Sequence, residues 1–339
     1  MSLISRLRRN HPTDSTETTG ESSAGQHKLF VHIPKTAGTS FRNSAVLQFG
    51  QPKVLQDYGV KRDATSREII NTVYDSGDPT SIIAAFIDTG AVMVSGHLQL
   101  TKYAGLLGLP NTVTFIREPV ARVVSHFRHM TRDEGFEGDL LKFIRKPIQQ
   151  NVQSRVLCQI DPALLGVLGI TERYQDSIDI VNKRWHWGLN QRQDNISDKM
   201  SEVKVSLSNE EEAEIIKLNS KDLALYDRAV QVFNNSFTCL KKNSASDPRG
   251  AISFARTRQG VSGWAFDMFS DEAAELDIIV NQDVKAQIKC ADFRPALAGW
   301  RVPRCGYIGF HLKSLSLKDG DKVEIRDSEL GLTLDKTIV

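Results

Sequence analysis

Cysteine is scarce in this chain: four residues, at positions 158, 239, 290 and 305, in 339. They form no C-x-x-C pair and no His/Cys cluster with zinc-ligand spacing, which argues against a zinc module and against a disulfide scaffold. Free thiols in a reducing compartment are the expectation, and Cys290 and Cys305 would pair only if their strands adjoin. Long apolar runs are absent too, so no segment has the roughly 20 residues needed to span a bilayer. The N-terminus, Met1 to Arg9, has no apolar core of the secretory kind. An excess of one charge sign is also missing, with 43 Lys and Arg against 41 Asp and Glu. A net charge of +2 does not suit a general nucleic-acid or membrane-surface binder. Any anion binding must therefore be local. The chain carries no G-x-x-x-x-G-K-[ST] pattern and no repeat at a fixed period.

What is present begins at Leu29-Phe30-Val31-His32-Ile33, an apolar run with the look of a short buried strand. Pro34-Lys35-Thr36-Ala37-Gly38 follows as a tight loop, and Thr39 or Ser40 is placed to cap a helix running to about Phe49. A strand, a tight loop and a helix start make a place to hold an anion, through the N–H groups of the first turn and the helix dipole. Thr36, Thr39 and Ser40 add hydroxyl donors, Lys35 a mobile positive charge, and Gly38 a close backbone approach. Taken alone, an ordinary strand-to-helix turn with a surface lysine explains the stretch equally well.

Two further apolar runs carry the same signature. Ala91 to Ser95 ends in Gly96-His97, and Thr112 to Ile116 ends in Arg117-Glu118-Pro119, with Pro119 suited to the first position of a helix. Val120, Val123, Val124 and Phe127 then recur at helical spacing. Three strands thus end in polar clusters, and open parallel α/β sheets bind ligands beyond the carboxyl ends of their strands. Residues 10–26 are polar and expected to be disordered. Residues 51–88 suggest two helices, around Arg67–Tyr74 and Thr80–Ile87, and residues 136–200 look largely helical. Ser208-Asn209-Glu210-Glu211 fits a capping box. Beyond a polar linker at 241–250 the period changes. Leu276, Ile278 and Val280 alternate, turn at Asn281-Gln282-Asp283, and alternate again at Val284, Ala286 and Ile288. A second hairpin is expected from Ile308, Phe310 and Leu312 to Val323 and Ile325 across Asp319-Gly320.

Three segments together resemble the sulfotransferases that use 3′-phosphoadenosine 5′-phosphosulfate (PAPS), with the carbohydrate (heparan sulfate/uronyl) 2-O-sulfotransferase-like branch the most similar. Ile33 to Ser40 is similar to that family's 5′-phosphosulfate loop, and Phe115 to Phe127 to its 3′-phosphate motif. Ser95-Gly96-His97 is similar to the segment holding its catalytic histidine, and Asn151 to Arg155 also resembles a family segment. Glu118 departs from the aspartate usual before the proline. The resemblance spans roughly residues 28–235. It implies a parallel-sheet, P-loop-like sulfotransferase domain with helices on both faces at 27–240. Ahead of that domain lies the 1–26 tail. A linker at 241–250 and an all-β, sandwich-like domain at 251–339 would complete the chain.

The same resemblance assigns roles. Lys35 and His97 are the catalytic pair, with His97 as general base. Lys35, Thr36, Ala37, Gly38, Thr39, Ser40, Arg117 and Ser125 bind PAPS, and Arg155 is a weaker candidate for substrate. The implied reaction is in-line sulfuryl transfer to a hydroxyl-bearing acceptor, a glycan in the first place, with no metal and no nucleic-acid partner. A cytoplasmic location is expected, with contact at the inner membrane face left open. Two rivals stand beside this reading: a nucleotide-dependent kinase using a P-loop-like fold, and a non-catalytic glycan-binding protein.

Overall fold

Strands that are apolar at every position, rather than at alternate ones, belong to parallel sheets covered on both faces. Leu29, Phe30 and Val31 have that pattern, and so do Val113, Phe115 and Ile116; all are fully buried. In the computed structural model, which describes residues 27–190, 207–253, 260–313 and 315–339, these runs are the middle of a five-stranded sheet. Its strands are β1 (Lys28–Val31), β2 (Val54–Gln56), β3 (Met93–Gly96), β4 (Thr112–Ile116) and β5 (Val167–Ile170). All pair in parallel, in the order β2-β3-β1-β4-β5.

The chain leaves β1, crosses to the edge at β2, returns to β3, and then passes to the other side at β4. The direction of winding therefore reverses around β1, and a crevice opens there, at the carboxyl ends of β3, β1 and β4. Phe30 packs edge-on against Phe41 and Phe115, which are tilted against each other, with centroid separations of 4.6 to 6.3 Å. The expected helices at Arg67–Tyr74 and Thr80–Ile87 are found as a short helix with a π turn over Arg67–Tyr74 and a helix over Ile82–Thr89. β2 and β5 were not expected, and β5 interrupts the stretch that looked helical throughout. Residues 1–26 and 191–206 lie outside the described residues, so the expected tail and part of that stretch carry no structural account. Ser208 forms the anticipated capping box with Glu211.

The C-terminal part forms two antiparallel four-stranded sheets. Strand pairing starts at β6 (Pro248–Ser253), inside the stretch expected to be a linker. One sheet has the order β10 (Asp292–Phe293), β11 (Tyr307–Leu312), β7 (Val261–Asp267), β6; the other has β13 (Thr333–Ile338), β12 (Lys322–Asp327), β8 (Glu275–Val280), β9 (Asp283–Lys289). β8 and β9 form the expected hairpin across Asn281 and Gln282. The second expected hairpin is not formed. Its strands exist, but β11 pairs with β7 and β10 while β12 pairs with β8 and β13, so the chain crosses from one sheet to the other. All four cysteines are free thiols, with Cys290 buried and Cys305 exposed.

β7 is buried along its whole length because both faces are covered. Val261 and Ala265 face the other β-sheet, while Trp264 and Phe266 join the core of the parallel-sheet unit. Arg228, on the helix Ser220–Lys241, stitches the two parts together. It donates to the carbonyls of Gly250 and Leu334 and pairs with Asp161. Trp185 and Trp187 pack against each other and the same core.

Candidate active site

The loop after β1 is built under backbone strain. Lys35 and Ala37 both adopt left-handed conformations, with φ of 70° and 65°, a state that costs a non-glycine residue about 1–3 kcal/mol. Left-handed residues alternating with others are the backbone pattern found in anion-binding nests. The helix that follows, Gly38–Phe49, has Ala37 as its N-cap, no side-chain cap and no acidic residue in its first turn. Thr39 and Ser40 are therefore inside the first turn rather than capping it. Thr39 is exposed and Ser40 buried. The Thr36 hydroxyl is committed to the loop itself, donating to the Ile33 carbonyl at 2.9 Å. Gly38 is obligatory, since a Cβ there would lie 2.0 Å from the His32 ring.

Register brings the three strand ends together. Val31 lies opposite Gly96 on one side and Thr114 on the other. His97, the residue after β3, therefore sits beside His32, the residue after β1, and their rings meet edge to face at 4.4 Å. Arg117, the residue after β4, reaches back to the loop, where its Nη1 donates to the Lys35 carbonyl at 3.4 Å. Glu118 caps the helix Pro119–Asp133, accepting from the N–H groups of Val120 and Ala121 at 2.9 and 2.7 Å. The longer side chain thus serves the turn as a cap. Ser125 lies about two turns along that helix, half-buried. Arg155 is exposed, and its Nη2 donates to the Ile148 carbonyl at 2.6 Å.

His97 keeps an open face toward solvent and rests its other side on His32 and Tyr58. Desolvation by that packing, with the positive charges of Arg42 and Arg62, lowers its pKa from 6.5 to about 4. At neutral pH it is a neutral imidazole able to accept a proton. His32 is held lower, at about 2, by burial and then by His97, Arg42 and Lys35, so it stays neutral. Its Nδ1 pairs with the Tyr58 hydroxyl at 3.0 Å, and Arg42 donates to the same hydroxyl at 2.9 Å. His126 is also lowered to about 4, by burial and by nearby cations that include Lys35. His32, packed against His97 and Tyr58, thus belongs to the surroundings of the site. The signal for His32 was its position in a buried run just ahead of Gly38.

On the β2 side of His97 a cleft of about 400 Å³ opens, lined by Tyr58, Tyr74, His97, Gln99, Thr101 and Lys102 among others. Its floor is Asp57, which is buried and accepts from Tyr74 Oη at 2.7 Å, Tyr103 Oη at 2.6 Å and Lys102 Nζ at 2.5 Å. Burial alone would raise the Asp57 pKa, but these bonds hold it below the ordinary carboxylate value. Nothing in the sequence marked Asp57, because its partners lie far along the chain. Among the described residues, no group of three or more His, Cys, Asp or Glu side chains is arranged to hold a metal ion. Among them, too, no helix is long and apolar enough to cross a membrane.

Comparison with known proteins finds similarity to sulfotransferases. A sulfotransferase from Alicyclobacillus acidocaldarius, known from its crystal structure, is similar over 64% of this chain and 99% of its own, at 12% identity and a TM-score of 0.36. No curated protein matches. The sequence profile described as the Sulfotransferase family matches residues 23–204, more than half of the chain, including the loop after β1, His97 and the Arg117 segment. The chain belongs to the sulfotransferase family.

Proposed function

We propose that this protein transfers the sulfuryl group of PAPS to a hydroxyl of a carbohydrate acceptor, in the manner of the 2-O-sulfotransferase-like branch. The observation that carries the reading is the meeting of three adjacent strand ends, which brings the Lys35 loop, His97 and Arg117 to one crevice. The parallel-sheet unit would be the enzyme and the C-terminal sheets an accessory domain packed on it.

PAPS, when bound, supplies an activated sulfuryl group on a nucleotide that carries a second phosphate at its 3′ position. The residues present fit such a polyanion: an N-terminal helical turn without an acidic residue, a strained nest, a lysine and an arginine. The loop N–H groups and Lys35 would hold the 5′ side and stabilise the negative charge that builds on the leaving oxygen. Gly38, Thr39 and Ser40 would contribute the first helical turn, while Thr36 and Ala37 shape the loop. Arg117 and Ser125 would hold the 3′-phosphate, a charge-assisted grip that separates PAPS from ATP. His97, neutral and open to the cleft, would take the proton of the acceptor hydroxyl as the new S–O bond forms. Placement and charge stabilisation supply most of the catalysis in transfers of this type.

The cleft beyond His97 would hold the acceptor. Its volume falls within the range of small-molecule sites, about 300–1,000 Å³. Tyrosine rings beside lysine, threonine and glutamine side chains suit a polyhydroxylated ring better than a lipid chain. Labelled sulfate from PAPS, offered to polysaccharides, lipids and small alcohols, tests the reading. Transfer to a polysaccharide that is lost in Lys35→Ala and His97→Ala is expected. No transfer to any acceptor, with no binding of the desulfated nucleotide, would defeat it.

A further inference from the structure

The segment Asn151 to Arg155 has a defined mechanical place. Its first residues and the start of the helix Ser220–Lys241 cap each other. The Asn151 side-chain oxygen accepts from the N–H groups of Lys221 and Asp222, at 2.9 and 3.2 Å. In return the Asp222 carboxylate accepts from the N–H groups of Gln153 and Ser154, at 3.1 and 2.8 Å. Asn151 takes a left-handed conformation to allow this, with φ of 49°, and its own N–H donates to Asn219 at 2.9 Å. Asp222 and Gln153 are wholly buried. A short helix is thereby locked onto a long one, with Gln153 in its first turn.

Gln153 passes that rigidity to one residue. Its Oε1 accepts from the Arg117 N–H and its Nε2 donates to the Arg117 carbonyl, both at 2.9 Å. The flanking peptides are tied as well: the Ile116 carbonyl accepts from Thr171 Oγ1 at 3.1 Å, and the Glu118 N–H donates to Glu172 at 3.0 Å. Part-buried peptide groups of Ile116 and Arg117 at this strand end would otherwise lose their partners. The Arg117 backbone is thus fixed on both sides, and the guanidinium swings from a stationary base toward the loop after β1.

We propose that Gln153 is a positioning residue for anion recognition by Arg117, setting how strongly the protein distinguishes a 3′-phosphorylated nucleotide from one without that phosphate. The inference rests on the proposed function, in which Arg117 meets the 3′-phosphate. Misplacement of such a group by about 1 Å costs up to about 100-fold in productive geometry.

The test is calorimetric binding of adenosine 3′,5′-bisphosphate and adenosine 5′-monophosphate to the full chain, compared as a ratio of Kd values. In Gln153→Met the ratio should fall by about tenfold, almost entirely through weaker bisphosphate binding. Gln153→Glu keeps the acceptor for the Arg117 N–H and should fall in between. If Gln153→Met does not fold, Gln153→Glu carries the test, with its thermal midpoint measured alongside. A purely structural role would lower the midpoint, or weaken both nucleotides equally, and leave the ratio at the wild-type value; that result overturns the inference. A wild-type protein that does not prefer the bisphosphate would instead defeat the proposed function itself, and the inference with it.

Discussion

The two sides of His97 are built from different materials. Toward β1 and β4 the protein presents strained backbone, a helix start and cations, with Gly38 pressed against the His32 ring. Toward β2 it presents an open cleft whose walls are aromatic and polar side chains with one lysine, Lys102, organised by one buried carboxylate, Asp57. Backbone N–H groups recognise any phosphate or sulfate oxygen and leave little room for variation. Side-chain walls can be changed one at a time. The difference teaches where constancy and variety would reside under the proposed function: the first side would hold one fixed polyanion, and the second is where acceptor choice would be set.

Mutations should separate the two sides. The largest effect is expected at the boundary. His97→Ala should lower kcat by about 10²–10⁴-fold while leaving the affinity for adenosine 3′,5′-bisphosphate close to wild type, as steady-state kinetics and calorimetry would read. Lys35→Ala should follow, at about 10²–10³-fold in kcat, with weaker nucleotide binding and an unchanged acceptor KM. Asp57→Ala strikes the opposite side. It strips the buried Tyr103 hydroxyl of its acceptor and leaves Lys102 without its carboxylate. We expect a loss of about 3 kcal/mol in urea unfolding and a raised acceptor KM, with donor KM little altered. A donor effect as large as the acceptor effect would break the comparison.

A smaller effect concerns pH. The pKa values of His97 and His126 fall to about 4 in the folded protein, against an ordinary value of 6.5. The unfolded chain therefore binds more protons between those values. Stability should be full above pH 6.5 and decline as pH falls toward 4, while both rings remain neutral at pH 6. Ring NMR titration and urea midpoints at pH 7 and pH 5 would check the direction.

The parts of the fold that could be read in the sequence were those with a local signature. β1, β3 and β4 are apolar runs with polar ends, and β8 with β9 is a hairpin with its own turn. β2 has only three residues, and β5, as long as β1 and β3, lies in the apolar run Ala163 to Ile170, which periodicity cannot tell from a buried helix. The strands at Tyr307–Leu312 and Lys322–Asp327 were visible as strands, but their partners are chosen by packing between sheets. At the site, Lys35, His97 and Arg117 stood out because each follows an apolar run. Asp57 and Gln153 did not, because their roles are hydrogen bonds to residues remote in sequence. Asp57 meets Lys102 and Tyr103, and Gln153 meets Arg117 and Asp222.

The proposed function requires a single anion site shared by the ends of β1 and β4. Calorimetry of adenosine 3′,5′-bisphosphate binding to the wild type, Lys35→Ala and Arg117→Ala measures this directly. One site per chain is predicted, weakened about 10–100-fold by either substitution alone. Tight binding that neither substitution disturbs, or two independent sites each sensitive to only one of them, would contradict it.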